Sequence, residues 1–564
     1  MNPPAEVAKR RRGALAVGAV VMAAVAPYAP SVVFGFTFDD THTILEHPGV
    51  RGPLSLVNLL LRDFWGRSFV NSIGSWRPLT TLTYWIDWHL AAGLPWAFHV
   101  SNLALYTVLL LLLARFLSRF FGAELGSASR LAIVGVFGAL AIHADVVPSA
   151  TGRAEILAAL WGLLALMAPL RLEGPVRTRE VLLTAGASLL AIGAKESALP
   201  MALLAPLLAY RWHAARGTDR RAPMIALTAA NTVVLFGIVA FRVLRMPWWS
   251  LGVDRATENA LLAAAPAERL PGAGEVFVEY LQHTAWPARL APDYSYAGII
   301  PGHAPFRAAA GIALLVLVVG SCFAGRKRAP GIPDAAAGLA ASYVVVSNAI
   351  VPASAIADRL FFFPSLWVVI LAALFARRVA SSALFTRVAP FGGGELGGPK
   401  PPTPPQPNRV NASEKHSRTR QAIGALATGF ALAQVSIAAR DGLRWRDDIT
   451  LLTSAVQARP TVARSRRNLA LAFADAGRLE DAAWQLIVAN SILARYPAPL
   501  PNAAFPARWD REPIGIRLAE LGQSAGTPAL RDAIRSAAGT FRRWGNADVA
   551  ALVEEWDENL PEAP

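Results

Sequence analysis

Residues 9–42 read KRRRGALAVGAVVMAAVAPYAPSVVFGFTFDDTH: a basic cluster, a long apolar run, then two adjacent aspartates. A helix needs roughly 20 apolar residues to cross a bilayer. Lys and Arg gather on the cytoplasmic flank of such a segment. The run is too long for the apolar region of a signal peptide, so it reads as an uncleaved first span near 13–34. Asp39 and Asp40 then lie just beyond the opposite, non-cytoplasmic face.

The rest of the chain agrees with that reading. Its 564 residues are 54% hydrophobic and 16% charged, whereas a soluble domain carries about 25% charged residues. This is the balance of a polytopic membrane protein. The formal net charge of +15 is spread over short clusters between apolar runs, a pattern of membrane sidedness and not of nucleic-acid binding. A single cysteine, Cys322, excludes an internal disulfide framework and a cysteine-built zinc site.

Further spans are expected near 96–119, 131–149, 154–170, 180–194, 197–210, 223–243, 306–323, 336–352, 360–376 and 420–438, eleven in all. Several are short, and the pair at 180–210 is compatible with re-entrant segments. With that count the basic loops Lys9–Arg12, Arg115–Arg130, Arg171–Arg179, Arg211–Arg221, Arg326–Arg328 and Arg377–Arg378 all fall on the cytoplasmic side. The fold class is therefore all-α: a polytopic helical bundle over residues 1–385, with a large first external loop at 35–95. In that loop Leu56, Leu59, Leu60 and Phe64 fit one face of a helix, either lying in the interface or simply buried. The loop at 244–305 carries MPWWSLG and HTAWPARLAPDYSY, with aromatics suited to a headgroup-level belt. Residues 386–418 are expected to form a disordered Pro/Gly-rich cytoplasmic linker, 419–439 a last crossing, and 440–564 an external helical domain. Within that domain residues 462–497 place Ala470, Gly477, Ala482 and Ala489 where the helices of a tetratricopeptide repeat approach closely, with Asn468, Leu469 and Pro497 also fitting. A generic helical hairpin explains the same pattern. Residues 446–458 suit half of another repeat, and 516–557 suit degenerate capping helices.

The non-cytoplasmic face collects FDDTH (38–42), SWRPLT (75–80), HADVVPSATGRAE (143–155), AKES (194–197) and ADRL (357–360). Ionisable groups at span ends cost free energy unless paired or used. A partly desolvated carboxylate is a stronger base, and two neighbours seldom share one job. Asp39 and Asp40 therefore suit deprotonation of an attacking alcohol. Metal binding and capping of the next helix are the other readings. Arg77, Arg153, Lys195 and Arg359 suit a departing phosphate, which needs no metal if cations neutralise it. Alternatively they form structural salt bridges with Glu155, Glu196 and Asp358. His143 and Asp145 are placed to hydrogen-bond each other.

These segments, together with FDDTHTILEHPGV, DFWG, SWRPLTTLTYWIDWHLAAGLPWAFHVSN, HADVVPSATGRAEILAALWGLLAL, AKESALP and SNAIVPASAIADRLFFFPSLW in that order, resemble the TMTC family. Its members are transmembrane and tetratricopeptide-repeat protein O-mannosyltransferases of the GT-C class. The resemblance implies a polyprenyl- or dolichyl-phosphate-linked mannose donor, with inverting transfer to Ser or Thr hydroxyls of an acceptor protein held by the repeats. By the same resemblance Asp39 maps to the general base and Asp40 to its neighbour. Arg77, His143, Asp145, Arg153, Glu155, Lys195, Glu196 and Arg359 map to the region that holds the donor phosphate or sugar. No cofactor beyond this lipid-linked sugar is implied, and a divalent metal is not expected.

The chain departs from the family at Trp76, where Tyr is usual, at Leu140, where His is usual, and at Asp145, where Glu is usual. It also has Glu258-Asn259-Ala260 in place of Asp-Asn-Pro, and a much shorter repeat array. Its Ala-, Arg- and Pro-heavy composition fits a GC-rich bacterium, hence an inner-membrane enzyme facing the periplasm, or the endoplasmic reticulum if eukaryotic. A GT-C enzyme acting on a lipid or polysaccharide and a non-catalytic repeat scaffold are the rival functions. A transporter fits less well, because its polar groups belong near the midplane.

Overall fold

The computed structural model describes residues 3–69, 72, 74–170, 176–217, 221–245, 259, 261, 264–288, 290–295, 304–325, 331–348, 354–385, 409–478, 481, 482, 484, 485, 488, 489 and isolated positions between 531 and 558. Among the described residues every regular element is helical, and the one strand-like pairing is an isolated bridge between Arg62 and Ser68. Five helices are long and apolar enough to cross a membrane: Arg11–Val33, Pro95–Phe120, Ala222–Arg245, Pro305–Cys322 and Asp358–Arg378. Among the described residues the chain is thus all-helical, with the long apolar helices of a membrane protein.

The other expected spans take different shapes. The segment expected at 131–149 is a helix only over Ser127–Ala139, and continues as a 3-10 turn over Ala141–Asp145. His143 and Asp145 face polar partners there, and Pro148 follows. The first span is α-helical to Val25 and 3-10 from Ala26 to Val33, because Pro27 and Pro30 donate no backbone hydrogen bond. Helices Arg153–Met167, Thr178–Ala194, Met201–Ala214 and Ile332–Val344 have 15, 17, 14 and 13 residues. The helix Arg409–Gly442 starts inside the expected linker and runs through the expected last span.

Helix Arg153–Met167 is the axis of the bundle. Thirteen of its 15 residues are buried, as expected for a helix apolar on every side. Around it pack Tyr106, Leu109, Leu113 and Phe116 of Pro95–Phe120, with Phe137, Trp212 and Trp367. Large apolar side chains such as Leu15, Val233, Phe236, Phe306, Val316 and Leu432 point outward, forming a surface that lipid would cover. Helices Pro266–Ala285 and Pro305–Cys322 meet at two glycines. A Cβ on Gly311 would lie 1.9 Å from the Gly274 carbonyl oxygen. The last long helix is pinned by one polar residue: buried Gln434 accepts from the Ala141 amide at 2.8 Å and donates to the Thr284 carbonyl at 3.1 Å.

In the first loop, the expected amphipathic helix shrinks to one turn, Leu56–Leu60. Ser55 caps its start, and the Asp63 carboxylate accepts from the amides of Trp65 and Arg67, which turns the chain away. Leu59 and Phe64 are buried while Leu56 and Leu60 are exposed, so the four do not share one face. Of the expected aromatic belt, Trp286 is exposed but Tyr294 is buried; MPWWSLG, Glu258 and Ala260 lie outside the described residues. At the C-terminal end helices Asp448–Ala458 and Ala463–Asp475 pack against each other through Leu452, Leu469, Ala470, Phe473 and Ala482. Ala489 is also buried, and Gly477 takes φ +74° just past the second helix. Pro497 and most of 516–557 lie outside the described residues.

Candidate active site

The acidic pair divides its labour. Asp40 is fully buried, and its two carboxylate oxygens accept from the amides of Thr37 and Thr151, each at 3.0 Å. Burial pushes its pKa up to about 7 against the pull of those two donors. Asp40 therefore ties the loop after the first span to the segment that opens helix Arg153–Met167. That junction is tight: a Cβ on Gly152 would lie 1.9 Å from the Val146 carbonyl oxygen. Asp39 is half-buried, and its backbone carbonyl accepts from the amide and hydroxyl of Thr43. Its carboxylate has no hydrogen-bond partner among the described residues. Neither side chain caps the turn that follows, although Asp40 stands at the capping position.

Arg359, Asp145, Glu155 and Lys195 converge on the same region. Arg359 lies within electrostatic range of Asp39, Asp145, Glu155 and Asp293. Its amide and guanidinium donate to Asp145 Oδ2 at 3.1 and 3.4 Å, and its side chain stays 27% exposed. Lys195 Nζ meets Glu155 Oε1 in a buried contact. Burial pushes the Lys195 ammonium down to about 8; Glu155 opposes this, and the positive fields of Arg77 and Arg359 add to it. The second oxygens, Asp145 Oδ1 and Glu155 Oε2, are buried without a hydrogen-bond partner. At the rim, Arg77 pairs with Glu196 at 3.1 Å and lies over the Phe64 ring at 4.4 Å. Burial alone would raise the Glu196 carboxyl, but Arg77, Arg242 and the Trp76 amide hold it down at about 2. Among the described residues no group of three or more His, Cys, Asp or Glu side chains is arranged to hold a metal ion.

Two expected site residues stand apart. His143 is fully buried and does not meet Asp145. It contacts the Tyr106 hydroxyl at 2.9 Å and Ser365 at 3.4 Å, packed against Phe137 and Phe362. Arg153 is also fully buried. It pairs with Asp87 at 2.5 Å and donates to Asn102 Oδ1 and the Phe98 carbonyl at 2.8 Å each. Its guanidinium lies against the Tyr84 and Phe98 rings, which closes it off from a phosphate. Asp358 is not the partner of Arg359. It binds His283 Nδ1 and the Tyr294 hydroxyl, at 2.7 Å each, and fixes the turn that carries Arg359.

Sequence reasoning passed over Asp87, Asn102, Asp358 in this bracing role, and Arg242. Asp87 and Asn102 had a usable signal. Each is a polar residue inside an apolar helical run, which calls for a buried partner.

Several curated proteins are similar to this chain. A Caenorhabditis elegans protein O-mannosyl-transferase is 32% identical over 203 residues, covering 34% of this chain and 28% of its own length. Drosophila melanogaster protein O-mannosyl-transferase Tmtc1 is 33% identical over 32% of this chain and 21% of its own. Human protein O-mannosyl-transferase TMTC3 is 30% identical over 28% of this chain and 17% of its own. The chain thus spans less than a third of the length of the curated relatives it matches. No family model and no solved structure matches it. The resemblance to TMTC-type protein O-mannosyltransferases is borne out by these relatives.

Proposed function

We propose that this chain is a GT-C glycosyltransferase that moves a hexose, mannose by the resemblance, from a polyprenyl phosphate to Ser or Thr hydroxyls of polypeptides on the non-cytoplasmic face. The observation that supports this reading is the convergence of Asp39, Asp145, Glu155 and Lys195, from three distant segments, on the partly exposed guanidinium of Arg359. In this mechanism Asp39 takes the acceptor hydroxyl proton while that oxygen attacks the anomeric carbon. The bond from that carbon to the phosphate oxygen breaks on the opposite side, giving inversion, and its electron pair leaves on the phosphate. Arg359 and Lys195 neutralise the departing charge, with Arg77 at the rim. Asp145 Oδ1 and Glu155 Oε2 accept from sugar hydroxyls, which satisfies two otherwise orphaned buried acceptors. Asp40 holds the loop, and Arg153 holds the helix beside it. Eleven crossings set the mouth on the periplasmic side of an inner membrane, and the C-terminal helices act as a tetratricopeptide-type support for the acceptor.

Purified full-length protein given polyprenyl-phosphate mannose with peptide, lipid and glycan acceptors tests the reading. Labelled mannose on peptide Ser or Thr is the expected product. Label only on lipid or glycan would replace the acceptor class, and no product on any acceptor would overturn the transferase.

A further inference from the structure

The residue before the acidic pair is strained. Phe38 has φ +52°, a left-handed conformation uncommon for a bulky side chain and sustained only where the surroundings impose it. Those surroundings come from the far end of the chain. The Phe38 amide donates to Asp448 Oδ1 at 2.7 Å. Its side chain packs against the buried cluster that Leu452, Leu469, Ala470 and Phe473 of the two C-terminal helices form, and the Arg464 guanidinium lies 5.7 Å from the ring centre. One turn earlier, Phe34 is buried with Trp445 and Leu451, and the Gly35 amide donates to the Arg446 carbonyl at 3.3 Å. On its other side the loop is held by Asp40 on Thr151. Asp39 thus sits between two anchors, one in the bundle and one in the C-terminal helices.

We propose that Asp448 and Phe38 are positioning residues for Asp39, so that the C-terminal helical pair sets the aim of the base as well as standing beside it. This rests on Asp39 acting as the base. The amide of Phe38 needs an acceptor, which a side-chain amide oxygen also supplies, more weakly than a carboxylate. Removing the acceptor releases a strained backbone one residue from the reacting carboxylate, and small misplacements there cost turnover more than binding.

The test uses full-length protein. Asp448→Ala is expected to lower kcat about tenfold or more with donor KM within about twofold, and Asp448→Asn to restore kcat to within about threefold of wild type. Phe38→Gly accepts the backbone angle but deletes the ring, and is expected to lower kcat likewise. Amide hydrogen exchange read by mass spectrometry gives a readout independent of catalysis. Exchange over residues 34–43 should rise in Asp448→Ala and Phe38→Gly, stay at wild-type level in Asp448→Asn, and stay unchanged over 153–167 in all three. Wild-type kcat in Asp448→Ala, an Asn variant no better than Ala, or unaltered exchange over 34–43 would overturn the clamp. If the wild type transfers no sugar, the transferase reading fails, and the exchange arm alone still decides whether Asp448 holds the loop.

Discussion

Arg153 and Arg359 occupy like positions and have unlike fates. Each precedes or opens a helix, each comes from a motif expected on the same face, and each has a carboxylate neighbour. Arg153 is fully buried, has three polar partners on two other helices, and is flanked by aromatic rings. Arg359 keeps a quarter of its side chain open and shares one carboxylate at 3.4 Å, with Asp39 in electrostatic range. A guanidinium has five donors; when aromatic walls and three internal partners close over them, little is left for a ligand. The first arginine is internally satisfied, and the second keeps donors open, as the proposed phosphate role requires.

The sharpest way to break the comparison is the acidic pair, which divides in the same manner. Asp39→Asn is expected to lower turnover by a factor of about 10²–10⁴ while donor affinity stays nearly unchanged, read by single-turnover kinetics and donor titration. Equal loss of both would make Asp39 a fastening like Asp40. Next in size is Arg153→Ala. Removing one partner of a buried ion pair strands the other, at a cost of about 3–5 kcal/mol, so the variant should unfold at markedly lower temperature in detergent. A variant of wild-type stability with weakened donor binding would return Arg153 to the phosphate.

Membrane class was legible because hydropathy is a local property of the chain. Counting crossings leads only to the expectation that FDD, GRAE, KES and ADRL share one face. What stayed hidden were contacts made by backbone amides and by lone polar residues. Asp40 reaches Thr151 through an N–H, which any residue but proline would supply. The stripe of Leu56, Leu59, Leu60 and Phe64 looked helical, yet Asp63 makes its own bonds to the following amides and ends the helix after one turn. A helix so short gains little from periodicity without packing. Sequence proximity suggests that His143 and Asp145 are partners, yet the 3-10 turn directs one to Tyr106 and the other to Arg359. The clamp on Phe38 joins residues 410 positions apart, a distance no spacing argument spans.

Arg359→Ala tests the open side of the comparison. Hydrogen bonds to charged groups contribute about 1.5–3 kcal/mol, so donor affinity should fall roughly ten- to hundredfold with thermal stability little changed. A stable variant with wild-type donor affinity would remove Arg359 from the phosphate.

The smallest expected effect is the most specific. Burial pushes Lys195 down to about 8, partly offset by Glu155. Its cation is therefore present below that pH and lost above it, so donor binding should weaken by a fewfold between about pH 7 and about pH 9, well before an ordinary lysine titrates. Lys195→Arg keeps its charge through this range and should flatten the profile, whatever it does to absolute affinity. An identical slope in both proteins would assign the pH dependence to another group and leave Lys195 as a closed partner of Glu155, on the Arg153 side of the divide.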